Sequence, residues 1–554
     1  MVDPQRRRML SWLSCGAAGL VAVPLLVRYG RQPQAGSGVV AGPSPASAST
    51  VPAHPAAHLQ HEPGGQALRI PGRDGLMAEQ SLSKALHLVA RVDSFALFPG
   101  EPTALWCYAG EVDGRTLANP VLRAVHGETI DVTLDNRLQE ATTIHWHGLS
   151  LDEASDGSGL HPVAVGTGAR YRFRIRNRAG LYWYHAHPHS RTGMQVQHGL
   201  AGVLLVDDEE ELALRESLGL RWGERDIPLM IADKQIDQNN AIAYKLDADD
   251  WIGNRVLVNW TPEPYLDVVP GWYRFRMANV ANARMFRPAF IYDGQPLPMQ
   301  LIGTDGGLLA QSWPIDDFFL GPAQRVDILL DFSALVPGAR VTLCSLEYVA
   351  MENDNDDTVT FQPDPMADHP GAEPMGNRLD MMELRVVPPV QPIQKTHVPQ
   401  QLARLDPTPD TTGWPVRHFR LRTDQDGRWF INDWNFHING HESVFAVKRG
   451  TREVWEIRNY MTSMPHPIHL HGFQFRVVSR SISPPDIRAR MVTAEGLGPQ
   501  DLGVADTVVI WPGEIVRIAI DFAQPFTGTQ RYMFHCHNLE HEDKGMMVMF
   551  AVTD

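Results

Sequence analysis

At 554 residues, with 49 basic side chains against 64 acidic ones and a net charge of −15, the chain exceeds one ordinary domain and suggests roughly three or four. The acidity excludes binding to nucleic acid or to an anionic membrane through bulk electrostatics. After residue 30 no stretch approaches the ~18–20 apolar residues that a membrane helix needs.

Arg6, Arg7 and Arg8 precede an apolar run from Met9 to Val27, the layout of an export signal over residues 1–30. The adjacent arginines resemble a twin-arginine signal, which exports proteins already folded around a cofactor; an ordinary secretory signal or an uncleaved anchor is the competing account. A periplasmic or secreted protein is expected, with no membrane contact beyond a possible N-terminal anchor. Residues 31–66 are rich in Pro, Ala, Gly and Ser and read as a disordered linker. Of four cysteines, Cys15 lies in the signal, Cys107 and Cys344 stand far apart, and Cys536 sits in a histidine-rich stretch. The fold does not rest on disulfides.

From residue 85 short alternating runs separated by Gly, Pro, Asn and Asp indicate antiparallel β-sandwiches. The runs recur. GETIDVTLDN (127–136), GWYRFRMAN (271–279) and GTREVWEIRN (450–459) are versions of one strand that ends in Asn. VGTGARYRFRI (165–175), GPAQRVDILLDF (321–332) and PGEIVRIAIDF (512–522) form a second set. GLAGVLLVDD (199–208), MMELRVV (381–387) and GMMVMFAVTD (545–554) close each unit. An all-β chain of three consecutive sandwich domains follows, over 67–210, 221–390 and 415–554.

Of 23 histidines, none falls between Gly199 and Asp368, almost all of the middle unit. The first unit holds HWHG (145–148) and HAHPH (185–189); the last holds HPIHLHG (466–472) and HCHNLEH (535–541). A metal site drawing on both must lie between the outer units, with the middle one as a spacer. In a strand, residues i and i+2 share a face, so each pair (His145/His147, His185/His187, His469/His471, His535/His537) can grip one ion or bridge two. Eight imidazoles exceed one ion's needs and suit a three-metal cluster open to a small ligand. Cys536, between His535 and His537, points to the opposite face and belongs to a different metal. A thiolate, two imidazoles and a weak axial thioether make the blue-copper set, and His466, His541 and Met546 supply the missing ligands.

These motifs, in order and spacing, closely resemble those of the three-domain multicopper oxidases, the laccases and bacterial copper-efflux oxidases, over residues 80–554. The resemblance implies cupredoxin-like Greek-key sandwiches and four copper ions. It assigns His466, Cys536, His541 and axial Met546 to a type 1 copper, and His145 and His469 to a type 2 copper. The type 3 pair falls to His147, His185 and His537 on one ion and to His187, His471 and His535 on the other. It implies one-electron oxidation of phenols, aromatic amines or Cu(I) at the type 1 site, coupled to four-electron reduction of dioxygen to water, by a monomer. Asp156, in SDGSG, and Glu542 match acids that relay protons to the cluster in copper-efflux oxidases; the alternatives are a turn residue for Asp156 and a solvated carboxylate for Glu542. His189 is out of register and expected to be no ligand.

The donor is the open question. Met366, Met375, Met381 and Met382, with His369 and the acidic run 352–357, punctuate the segment after the middle unit, and Met461 and Met464 precede His466. Soft thioethers there suit Cu(I), as in the methionine-rich insert of the copper-efflux oxidases, but the insert is short, the family's acidic partner falls on Thr462, and Met381 and Met382 read as core. An axial methionine implies a low type 1 potential and easily oxidised donors. A copper nitrite reductase would have two domains and no type 3 pair; a non-enzymatic relative would lack Cys536 or several histidines; a copper buffer would use His54, His58, His61 and the methionines.

Overall fold

The structure is a computed structural model describing residues 65–246, 248–350, 369–390, 396–424 and 427–554. The signal, the linker up to residue 64, the acidic run and Met366 lie outside the described residues. No helix among them is long and apolar enough to cross a membrane.

The three recurring strands form the same substructure each time. Thr129–Asn136, Trp272–Asn279 and Arg452–Asn459 each pair antiparallel with a member of the second set: Gly168–Arg174, Arg325–Asp331 and Ile515–Asp521. On its other edge each takes a parallel neighbour: Leu86–Phe95, Asp226–Lys234 and Val416–Thr423. These sheets stack on sheets that contain the closing strands, giving six sheets, two per sandwich. Alternation buries one face of each: Leu134 and Trp146, Phe275 and Ile328, or Trp455 and Phe534 sit in the respective cores. The short strand Gln66–Ala67 leaves the first sandwich and pairs parallel with Pro264–Val268 of the middle one.

The terminal asparagine of the repeated strand also has a repeated job. Asn136, Asn279 and Asn459 each donate two amide hydrogens to carbonyls: Glu140 and Val163; Arg284 and Leu320; Met464 and Ile510. Each thereby ties the loop that follows it to a distant strand. In the last sandwich that loop leads directly into the strand His466–Leu470.

One feature departs from simple alternation. Arg274 and Arg276 are fully buried on the second face of the middle sheet, where the helix Glu209–Leu218 covers them. Glu211 on that helix, with Asp226 and Asp327, pairs with both guanidiniums. Buried charges survive only when matched in this way.

Candidate metal centre

The strand His145–His147 lies antiparallel to Gly180–His185, placing His145 opposite His185 and His147 opposite Trp183. In the last sandwich His466–Leu470 lies antiparallel to Gln530–Cys536, with His469 opposite His535 and Ile468 opposite Cys536. Two equivalent strand pairs and the residues that follow them thus present four imidazoles each, and the faces meet. His145 stacks on His471 with ring centroids 4.0 Å apart, and His147 on His469 at 3.7 Å. His147, His185 and His537 lie 5.0–5.7 Å from one another. His187, His471 and His535 lie 5.0–5.1 Å apart. All eight are buried.

The donor atoms fit a metal cluster. Carbonyl oxygens, which can only accept, face Nδ1 of His145, His185, His469 and His535 at 2.8–3.0 Å, so these nitrogens carry the protons. Their Nε2 lone pairs face inward. Nε2 of His145, His185, His469 and His537 has no hydrogen-bond partner, nor does Nδ1 of His147. His535 Nε2 approaches His471 Nε2 to 3.0 Å and His187 Nε2 to 3.4 Å. Facing lone pairs repel unless a cation lies between them. Burial, and after it the neighbouring imidazoles, holds His145, His147, His185, His469, His471 and His537 well below the ordinary imidazole value, leaving them neutral and ready to ligate.

Alternation sends Cys536 away from this cluster. Its Sγ lies 3.6 Å from Nδ1 of both His466 and His541, all buried. Burial pushes the thiol well above its ordinary value, and only a bound cation would hold it as thiolate. Met546 is wholly buried in the same core as Cys536, its carbonyl accepting from the Cys536 amide at 3.0 Å. Met547, the alternative thioether, packs elsewhere with Phe436, Met533 and Met549. Two imidazoles and a thiol, with a methionine in the same core, are the soft donor set of a copper site.

Known proteins agree with this geometry. Two family models described as multicopper oxidase match residues 98–211 and 411–554. A laccase of Bacillus subtilis is 30% identical over 507 residues, covering 82% of this chain and 91% of the relative. The chain belongs to the multicopper oxidase family. The crystal structure of the McoA multicopper oxidase of Aquifex aeolicus superposes with a TM-score of 0.76 at 33% identity, covering 88% of this chain and 99% of that one. A Campylobacter jejuni multicopper oxidase described as a metallo-oxidase gives 0.69 at 26% identity, with 89% and 96% covered. The chain is therefore a copper-dependent oxidoreductase that couples oxidation of small reductants to reduction of dioxygen.

Around the oxidase's histidines lies a shell of carboxylates. Asp156 accepts from His471 Nδ1 at 2.9 Å and lies 3.6 Å from His145 Nδ1. It ends the short helix Glu153–Asp156 rather than sitting in an open turn. Burial raises its carboxyl above the usual carboxylate range. Glu542 accepts from Thr192 Oγ1 at 2.6 Å and lies 3.3–3.4 Å from Nδ1 of His535 and His187.

Asp506 was not apparent from the sequence. Its carboxylate accepts from His147 Nε2 at 3.0 Å and from Arg325 at 2.6–2.7 Å, and its carbonyl accepts from His469 Nδ1. A lone Asp opening a strand carries no ligand spacing, so only the HWHG glycine hinted at it. Gly148 has φ of +84°, and a Cβ there would collide with this carboxylate.

Of the other histidines, His189 packs on Phe436 and His441, outside the cluster. Met381 and Met382 lie in the middle core. Cys107 and Cys344 are buried free thiols. Met464 lines a cavity of about 20 Å³ together with Met285, Met375, Asp250 and Asn538. Asn538 lies 3.3 Å from His541 Nε2, and Asp250 3.7 Å from it.

Proposed function

We propose that the chain is a monomeric four-copper oxidase acting on Cu(I), exported by a twin-arginine signal. His466, Cys536, His541 and axial Met546 would hold the type 1 copper, and His145 with His469 the type 2 copper. His147, His185 and His537 would hold one type 3 ion, and His187, His471 and His535 the other. One chain supplies every ligand, which supports the monomer. Copper bound there supplies one-electron oxidation at the type 1 end and four-electron reduction of dioxygen to two waters at the trinuclear end.

The residues perform the rest. Peptide bonds alone separate Cys536 from His535 and His537, a short covalent path between the two ends. Asp156 and Glu542 flank the cluster from the two outer sandwiches; Asp156 accepts from His471 Nδ1, Glu542 lies 3.3–3.4 Å from Nδ1 of His535 and His187, and each keeps one carboxylate oxygen without a hydrogen bond, Oδ1 and Oε2 respectively. Those oxygens are the atoms at which protons would be held on the way to dioxygen.

The observation that carries Cu(I) is the small cavity beside His541. Three thioethers and a carboxylate surround about 20 Å³, which admits an ion or a water and no aromatic ring. Thioethers prefer Cu(I), and a neighbour described as a metallo-oxidase supports the reading. Copper content should be about four per chain, from one type 1 ion and a three-metal cluster, with blue absorption. Oxygen uptake should proceed with Cu(I), and Met464→Ala should raise KM for Cu(I) about tenfold with kcat held within about twofold, as expected on losing one soft ligand. Unchanged Cu(I) kinetics in that variant would remove the assignment.

A further inference from the structure

Both imidazoles beside Cys536 meet one indole. Trp429, itself buried, lies over His541 with ring centroids 4.1 Å apart and planes inclined by 32°. It meets His466 at 5.0 Å in a T-shaped contact, and the two imidazoles stand 5.1 Å from each other. We propose that Trp429 is a positioning residue of the type 1 site: an indole clamp, fastened by Asp249 of the middle sandwich, that sets both imidazoles before copper arrives. This role rests on the four-copper reading and adds to it a residue that donates no ligand atom.

The clamp is built from the backbone up. Trp429–Ile431 is a strand of three residues at the rim of its sheet, paired antiparallel with Val416–Thr423. An edge strand has ladder bonds on one side only, so a bulky side chain on so short a piece needs further ties. Two are present. The buried amide of Asn435 donates to the Trp429 carbonyl at 2.8 Å and to the Lys544 carbonyl at 3.0 Å. Asp249 Oδ1 accepts from Trp429 Nε1 at 3.0 Å and from Lys544 Nζ at 2.7 Å. Lys544 directly follows the helix Leu539–Asp543, which carries His541. Strand and helix are thus tied through backbone and again through side chains. The second tie comes from the middle sandwich, which supplies none of the proposed ligands.

Edge and face of each imidazole have different partners. Nδ1 of both rings faces Cys536 Sγ at 3.6 Å. Nε2 of His466 meets Ser463 Oγ at 3.0 Å, and Nε2 of His541 lies 3.3 Å from Asn538 Nδ2. These contacts run along the ring edge, and the Cβ–Cγ torsion of histidine is broad, so alone they let a ring tilt. A second ring packed against the face blocks that tilt. Burial holds both imidazoles well below the ordinary imidazole value, so no charge orients them in the copper-free chain. A thiolate–imidazole copper site depends on its geometry, and partners that fix ligand orientation change metal affinity by ~10–100-fold.

The test titrates Cu(II) into the copper-free full chain against nitrilotriacetate, with type 1 occupancy read from blue absorption and from the electron paramagnetic resonance of the type 1 ion. Trp429→Leu keeps an apolar side chain and removes both the ring and the Nε1 hydrogen. It should need about 10–100-fold more free copper for half-occupancy, with a widened hyperfine splitting, as in an unconstrained copper site. Trp429→Phe, which restores a ring, should recover most of that loss and the narrow splitting. Asp249→Ala should cost about fivefold, the worth of one hydrogen bond. Unchanged affinity and splitting in Trp429→Leu would overturn the clamp. So would a loss that Trp429→Phe fails to recover, or a fall in copper-free stability by denaturant titration with copper affinity kept, since either makes the indole core filling alone. Should Trp429→Leu fail to fold, Asp249→Ala, at a half-exposed residue, decides: unchanged affinity there overturns the clamp. Absence of blue absorption in the unaltered, copper-loaded protein would instead overturn the four-copper reading, and the clamp with it.

Discussion

At the scale of single residues, Asp156 combines two demands. Its Oδ2 fixes His471, and its Oδ1 is left for a proton. Asparagine could keep the acceptor towards His471 and lose the proton site. Asp156→Asn should therefore keep its copper and blue absorption while kcat for oxygen reduction falls by about 10²–10⁴, the usual loss on removing a positioned acid or base. Loss of copper instead would make Asp156 a structural anchor. The histidines and the cysteine that the structure brings together were legible in the sequence because alternation and His-x-His spacing are local. Ser463 and Asn538 were not; they stand three residues from the imidazoles they face, His466 and His541, with no motif to announce them, Ser463 Oγ lying 3.0 Å from His466 Nε2. Asp506 was not either, since it meets His147 only through the fold. Met285 and Asp250 escaped for the same reason, far in sequence from any ligand.

At the scale of elements, the recurring strands were readable because period-two alternation ending in Asn survives in all three copies. The amide ties of that Asn, and the helix Glu209–Leu218 between two sandwiches, were not readable. The helix carries its acidic residues inward to Arg274 and Arg276, so burial does not follow an apolar stripe. The short helix Glu153–Asp156 shows how little backbone can decide a site. It ends at Gly157, with φ of +73°, where a Cβ would overlap the Ile144 carbonyl just before His145. Gly157→Ala should push apart the turn that aims Asp156 and the strand that carries His145. We expect a loss of about 2–4 kcal/mol by denaturant titration, combining left-handed strain with overpacking, and reduced copper occupancy at the trinuclear end with blue absorption kept. Full occupancy of every site would show that the backbone yields at no cost to the cluster.

At the scale of the whole molecule, the middle sandwich is more than the spacer that its lack of histidines suggested. Arg325 reaches from it to Asp506, and Asn282 donates to Glu540 Oε1 at 2.7 Å in the helix that bears His541. Asp506 thus joins all three sandwiches, through His147, Arg325 and its own strand. Asp506→Ala would leave Arg325 buried without that carboxylate, and unfolding should become easier by about 3–5 kcal/mol. Copper-free protein should show the same loss, which separates this role from any effect on metal binding. The stacked pairs His145–His471 and His147–His469 carry a consequence for biogenesis. Each outer sandwich owns four of the eight imidazoles, so no nascent fragment short of the last sandwich can assemble the proposed oxygen-reducing centre. His471 must be synthesised before His145 has its stacked partner, and His469 before His147 has its own. A half-made chain holds at most one sandwich's four imidazoles, among them His145, His147 and His185, whose donor atoms already stand within 4.8 Å of one another.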